Sequence, residues 1–176
     1  MRKFTHHEIV QRQSQKMRER RLPFCVLLNN IRSLHNVGAI FRTADGVGIE
    51  KIWLCGITGY PPRSEITKTA LGAEKRIPWE YKKEATTVLA QLKKANYQII
   101  FLEQMEESIP YQKFRPKVPC CLVMGNEITG VEEKLLPFGD AAIEIEMVGI
   151  KNSLNVAVAF GIVAYHIRNS LRRARV

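Results

Sequence analysis

The chain has no long apolar run. Nothing in its 176 residues approaches the roughly 18 consecutive apolar residues of a membrane-spanning helix. The one apolar run near the basic start, residues 22–28, is short and broken by Pro23, which argues against a secretory signal. A cytoplasmic protein without a membrane partner is therefore expected. Cysteine is scarce: Cys25, Cys55, Cys120 and Cys121 form no C-x-x-C pair, and they fall in three apolar runs. Such cysteines behave as small buried hydrophobes, so structural thiols are expected. The four histidines lack ligand spacing, which argues against zinc; no metal is expected. No early G-x-G-x-x-G with a ribose-binding acid downstream is present, which argues against a dehydrogenase-type dinucleotide fold. Internal repeats and low-complexity segments are also missing. Acidic residues stop altogether after Glu146.

What remains is a globular composition, 45% hydrophobic and 25% charged, of a length best served by one domain with a real core. The net charge of +10 is unevenly placed. Residues 1–21 carry seven Lys or Arg against Glu8 and Glu19, and beyond Glu146 Lys151, Arg168, Arg172, Arg173 and Arg175 stand unopposed. Both ends are basic and the middle is close to neutral. This distribution suits a polyanion, above all nucleic acid. Two solvated basic helix faces would give the same pattern.

Apolar β-rich runs alternate with helical patterns. Residues 24–28, 51–55, 97–102, 120–124 and 142–145 read as strands, several of them continuously apolar, as in strands buried on both faces. Residues 37–47, 84–95, 132–136 and 154–173 read as helices, and residues 5–20 as a mostly polar first helix. Residues 56–63 form a turn-rich loop. The alternation predicts an α/β fold with a parallel sheet covered on both faces, preceded by a basic extension over residues 1–21. In the last helix Leu154, Val158, Ile162 and Tyr165 recur at helical spacing, and Val156, Ala159 and Val163 widen the apolar face. Burial within the monomer or in a subunit interface would each account for that width.

Three segments combine small residues with polar side chains. In residues 36–48 (NVGAIFRTADGVG), Asn36 caps or precedes a helix, Gly38 and Ala39 leave room for another backbone, and Arg42 sits among apolar neighbours. Such an arginine binds a phosphate or carboxylate, or makes a structural salt bridge. In residues 124–130 (MGNEITG), Gly125 ends a strand where open α/β sheets bind ligands. Glu127 either orients a substrate group or is simply an acid near a helix N-terminus. In residues 147–159 (MVGIKNSLNVAVA), Ser153 has the look of an N-cap and Asn155 lies in the first turn. No base stands beside Ser153, so a serine-hydrolase reading is weak.

Together the three segments, with residues 67–74 (TKTALGAE) as a fourth, resemble the SpoU-type or TrmH-like RNA 2′-O-ribose methyltransferases of the SPOUT superfamily. The resemblance spans roughly residues 24–168, with the motifs in order. It implies a parallel-sheet α/β-knot fold whose C-terminal part is threaded as a trefoil knot, a rare topology that periodicity does not reveal. It implies S-adenosylmethionine as cofactor, with Gly125, Ile145 and Leu154 at its contacts and Leu102, Glu103 and Met147 as neighbours. It assigns Arg42 as the catalytic arginine, placed to bind phosphate and stabilise a developing alkoxide, with the base left open. Asn36, Glu127, Ser153 and Asn155 become the other polar site positions. It also implies a homodimer with the site completed across the interface, and an RNA partner, tRNA favoured and rRNA possible. With only about twenty residues before the first strand, no separate RNA-binding domain is expected. A catalytically silent RNA-binding protein on the same fold is the alternative.

Overall fold

Along strand β1 (Leu22–Asn29), Phe24, Val26 and Leu28 alternate with Cys25 and Leu27, and both sets are buried. Successive strand residues point to opposite faces, so a strand buried on both must be apolar at every position. The computed structural model describes residues 1–16 and 21–173, without the side chains of residues 13–16 and 173. The sheet has seven strands, all parallel: β1, β2 (Ile49–Cys55), β3 (Trp79–Lys82), β4 (Gln98–Leu102), β5 (Ile109–Pro110), β6 (Cys120–Met124) and β7 (Ala141–Glu144). Their order is β3-β2-β1-β6-β4-β7-β5. Strand β6 therefore lies between β1 and β4, with Val26 opposite Leu122 and Ile100 opposite Leu122 on its other side.

One face carries helix α2 (Leu34–Val47), helix α3 (Ser64–Ala70) and helix α5 (Val156–Arg173). Phe24, Val26, Leu28 and Leu122 meet Ile40, Phe41, Phe160 and Val163 there. The other face carries helix α4 (Ala85–Lys94) and a 3-10 helix over Glu133–Phe138. Cys25, Leu27, Ile99 and Val123 meet Val88, Leu89, Leu92 and Leu135 on that side. All four cysteines are free and buried. Burial pushes the Cys55 thiol up to about 12, and Cys120 and Cys121 also rise, so they pack as apolar groups.

The segment at 132–136 is not an α-helix: Glu132 is the N-cap and the rest lies in the 3-10 helix, because Pro137 sits inside it and cannot continue an α-helical ladder. Strands β3 and β5 and helix α3 are additions to the sequence reading; each is short, and β3 and β5 have no fully buried residue. Helix α1 spans His6–Lys16, and the expected stretch at 17–20 lies outside the described residues. Its start is a capping box: Thr5 N–H and hydroxyl donate to Glu8, and Glu8 N–H donates to Thr5 Oγ1. The Arg21 guanidinium donates to the carbonyls of Ile49 and Arg76, fixing the chain where β1 begins.

Helices α2 and α3 touch at Gly38. A Cβ there would lie 2.0 Å from Thr69 Oγ1 and 2.3 Å from the Ile66 carbonyl oxygen. Because backbone cannot yield as a side-chain tip can, Gly38→Ala is expected to destabilise the protein by about 1–3 kcal/mol. Denaturant unfolding checks this; an unchanged midpoint would contradict the close approach.

Candidate active site

The loops after β4, β6 and β7 converge at the carboxyl edge of the sheet with the start of α5. They enclose a cleft of about 540 Å³. Leu102, Glu103 and Gln104 enter from β4, Met124 to Ile128 from β6, Glu144, Ile145 and Met147 from β7, and Asn152 to Val156 with Ala159 from the last segment. The carboxyl edge of a parallel sheet is the expected ligand position, since adjacent strand ends diverge there. Three carboxylates, Glu103, Glu127 and Glu144, line the cleft, and among the described residues no Lys, Arg or His does.

Two glycines shape the loop after β6. A Cβ on Gly125 would fall 2.3 Å from Gly130 C and 2.4 Å from Val131 N. Thus the close approach that Gly125 allows is to the chain's own returning backbone. Gly130 has φ +69°, and a Cβ there would meet Glu103 Oε2 at 2.3 Å. Between them, Asn126 and Gly130 exchange two backbone bonds of 3.0 Å, and Asn126 Oδ1 accepts from Ile128 and Thr129 N–H. Glu103 ties the loop to β4 by accepting from Val131 N–H at 3.0 Å. Gln104 Nε2 donates to the Asn152 carbonyl at 2.7 Å, joining the β4 and α5 sides.

Glu127 accepts backbone N–H from Arg32 at 3.0 Å and from Ser33 at 3.3 Å, and Asn36 Nδ2 donates to it at 3.3 Å. Asn155 Nδ2 then donates to Asn36 Oδ1 at 3.0 Å. Glu127, Asn36 and Asn155, about 30 to 120 residues apart in sequence, therefore form one hydrogen-bonded chain. Partial desolvation raises the Glu127 carboxyl, but the N–H donors from Arg32, Asn36 and Ser33 outweigh it, and the net shift is downward from 4.5.

Of the residues expected at the site, Leu102, Glu103, Gly125, Glu127, Ile145, Met147, Ser153, Leu154 and Asn155 line the cleft. Asn36 joins them through its bonds. Arg42 does not line it: it is exposed, six residues along α2 from Asn36, or about 9 Å of helix rise. Ser153 is not the cap of α5. That helix starts at Val156, and Asn155 Oδ1 accepts from Ala157 and Val158 N–H at 2.9 and 3.4 Å. An Asx side chain one residue before the helix reaches these donors; Ser153 is two residues too early. Likewise Ser33, not Asn36, caps α2, accepting from Asn36 N–H at 3.2 Å. The sequence reading missed Gln104, Asn126, Asn152 and Glu144. The Asn126-to-Gly130 spacing was a usable turn signal; nothing local marked the others. Residues 67–74 end α3 and lead to Glu74, which is buried with one carboxylate oxygen lacking a hydrogen-bond partner among the described residues.

A carboxyl held below its ordinary value stabilises the fold above that value and loses the contribution as pH falls through the folded one. The Glu127–Asn36 link is therefore expected to persist at pH 5 and to break only below the ordinary 4.5. Carboxyl-carbon NMR titration reads this directly; a midpoint above 4.5 would contradict the N–H cradle. Asn155→Ala removes both the cap and the bond to Asn36, with an expected cost of about 0.5–2 kcal/mol, whereas Asn155→Asp should keep the cap.

Comparison with known proteins gives consistent relatives. The chain matches the SpoU rRNA Methylase family over residues 23–165. It is 30% identical over 163 residues to a tRNA (guanosine(18)-2′-O)-methyltransferase of Escherichia coli (strain K12), covering 90% of this chain and 69% of that protein. The corresponding enzyme of Aquifex aeolicus is 29% identical, with 89% and 76% covered. Among solved structures, the A. aeolicus TrmH/SpoU tRNA modifying enzyme superposes with a TM-score of 0.83 at 27% identity, covering 95% of this chain and 86% of that one. An AdoMet-bound rRNA methyltransferase from Sinorhizobium meliloti gives 0.77 at 30% identity, covering 84% and 56%. Motif order, sheet topology and these matches agree: the chain belongs to the SpoU RNA methylase family.

Proposed function

We propose that the protein transfers a methyl group to a ribose 2′-hydroxyl of RNA, with tRNA as the favoured substrate. The observation that carries this is the Glu127–Asn36–Asn155 chain beside a cleft whose charged lining residues are all acidic, in a member of this family. The cofactor of the reaction is S-adenosylmethionine, which supplies an electrophilic methyl group on a sulfonium. The cleft suits it. Its volume falls within the range of cofactor sites, and Leu102, Ile145, Met147 and Leu154 give apolar walls. Glu103, Glu127 and Glu144 favour a cationic ligand and oppose the phosphates of a dinucleotide.

Residue roles follow from placement. Gly125, Ile145 and Leu154 border the cofactor cleft, with Leu102, Glu103 and Met147 beside them. Glu127 holds the N-terminus of α2 through Arg32 and Ser33 and orients the Asn36 amide. Asn155 ties α5 to the same point. Ser153, exposed and lining the cleft, would meet the ribose. Arg42 binds the substrate phosphate and stabilises the developing alkoxide, since a guanidinium does not give up its proton near neutrality. Holding the two reactants in line is then a large part of the rate.

Arg42 is exposed and does not line the cleft of its own chain, and this favours a homodimer. Helix α5 divides its apolar side chains: Phe160, Val163, Ala164 and Ile167 are buried, while Val158 and Tyr165 remain exposed, as does Leu154 just before the helix. Val158 keeps 51% of its surface. Gly46 on α2 adjoins the Tyr165 hydroxyl, so the stripe bearing Arg42 borders this apolar face. A second copy docked there would bring Arg42 of the partner subunit to the cleft. The knot belongs to the same reading. Its support is the chain's passage from β6, inserted between β1 and β4, to β7 beyond β4 and back to α5 against α2. So does the division into a basic extension at 1–21 and a methyltransferase domain at 22–176, with the extension and basic tail gripping RNA. No helix among the described residues is long and apolar enough to cross a membrane, and no cluster of three metal-ligating side chains is present among them.

Labelled methyl transfer to unmodified total tRNA and, separately, to ribosomal RNA, followed by nucleoside analysis, tests the reaction. A 2′-O-methylated nucleoside is expected from the tRNA pool; cofactor binding with no transfer to either pool would point to a narrower RNA such as a ribosome precursor, and neither transfer nor cofactor binding would favour the silent RNA-binding alternative. Arg42→Ala should reduce transfer at least a hundredfold with cofactor affinity within about twofold of wild type, as for loss of one charge-stabilising donor. Full activity of that variant would remove Arg42 from the mechanism. Val158→Glu should yield monomers by sedimentation and lose transfer together with them.

A further inference from the structure

On the flank of the site lies an aromatic surface that the reaction above does not use. Tyr60 stands 4.7 Å, ring to ring, from Tyr81 and 6.2 Å from Trp79. Trp79 and Tyr81 belong to the edge strand β3 and are half-buried, whereas Tyr60 is 41% exposed and its hydroxyl makes no hydrogen bond among the described residues. Ile57, three residues earlier, is 68% exposed. This loop is firmly built. The buried Thr58 hydroxyl donates to the Leu28 carbonyl and accepts from Ile31 N–H, each at 3.0 Å. Tyr81 donates to the Gly56 carbonyl at 2.9 Å, and Asn30 Oδ1 accepts from Ile57 N–H at 3.0 Å. Such a loop holds its apolar side chains outward, at a hydration cost that a ligand would relieve.

The platform is joined to the site. The Asn30 carbonyl also accepts from Asn126 Nδ2 at 2.7 Å, so one residue touches both the aromatic loop and the loop bearing Glu127. Gly59 packs on Leu34, the first residue of α2; a Cβ on Gly59 would meet Leu34 Cδ2 at 2.1 Å. Tyr60 thus follows a residue seated against the helix start that Glu127 and Asn36 organise. Around it, Arg32 and Arg63 are exposed, and no carboxylate of the described residues pairs with either. Nearby Glu65 bonds Ser64, and Glu80 is occupied by Lys51 and Lys82. Arg63 follows Tyr60 by three residues and Arg32 follows Ile31, whose N–H donates to Thr58 of the same loop. An exposed aromatic ring on a loop flanked by such arginines matches an unpaired nucleotide: the base stacks and the adjoining phosphates are neutralised.

We propose that Tyr60 is a stacking platform for an unpaired base near the target ribose, with Arg32 and Arg63 on the adjoining phosphates. This rests on the RNA reading of the site. The test is binding of fluorescein-labelled unmodified tRNA by anisotropy across a salt series, with cofactor affinity and oligomeric state measured on the same samples. Tyr60→Ala is expected to weaken tRNA binding about tenfold, with the salt slope, cofactor affinity and assembly unchanged; Tyr60→Phe and Tyr60→Trp should stay within about twofold of wild type. Arg63→Ala should instead lower the salt slope by about one. Wild-type affinity in Tyr60→Ala, with wild-type protein binding and methylating RNA, overturns the platform alone. A change in assembly for Tyr60→Ala overturns it in favour of a subunit contact. Failure of the wild-type protein to bind RNA overturns both readings.

Discussion

A carboxylate in a backbone cradle decides how this site is assembled. Glu127 leaves the end of β6 and accepts from the N–H groups of Arg32 and Ser33, the two residues just before α2. That contact is local electrostatics, yet it closes the loop after β6 against a helix almost a hundred residues earlier. Asn36 then stands one bond from Glu127 and one bond from Asn155. Because Asn155 also caps α5, the orientation of the last helix is tied to the same carboxylate. The arrangement works only if the backbone of residues 125–131 can fold back on itself, and Gly125 supplies the space.

The parallel sheet underneath makes that placement possible. Strands β1, β6 and β4 run side by side with both faces covered, so their carboxyl ends are fixed by two packed layers. Three of the loops that line the cleft leave directly from β4, β6 and β7. A loop anchored at a buried strand end carries little positional freedom, and Asn126, Glu103 and Gln104 remove more of it through side-chain bonds to neighbouring loops.

The sequence revealed the central strands because they are buried on both faces, and a short, continuously apolar run such as residues 120–124 is what that burial requires. It revealed the three polar segments because glycine and asparagine cluster there. It did not reveal β3, whose Trp79, Glu80, Tyr81 and Lys82 lie half-buried to exposed at an edge, or the seven-residue α3. The cap of α5 was misplaced by two residues because Ser153 and Asn155 are both good caps, and only the helix start chooses between them. The insertion of β6 between β1 and β4 and the pairing of Gln104 with Asn152 depend on contacts between distant segments, which no window along the chain contains. The same limit applies to Arg42: the sequence placed it in the site's first segment, while the helix carries it out of the cleft.

Charge is partitioned in a way that fits two unlike ligands. The cleft is lined by Glu103, Glu127 and Glu144, with no cation among the described residues, while the chain as a whole carries +10. A positive exterior draws in a polyanion at long range, and screening by salt confines that attraction to about a Debye length. Within the cleft the sign reverses, so an RNA phosphate is repelled from the space that a cationic cofactor would fill. An RNA held at the rim would present its ribose while keeping its backbone outside. Arg42, Arg32 and Arg63, all exposed, stand outside the cleft, where phosphates are tolerated. Opposite signs in adjoining regions thus separate the two ligands before any specific hydrogen bond forms.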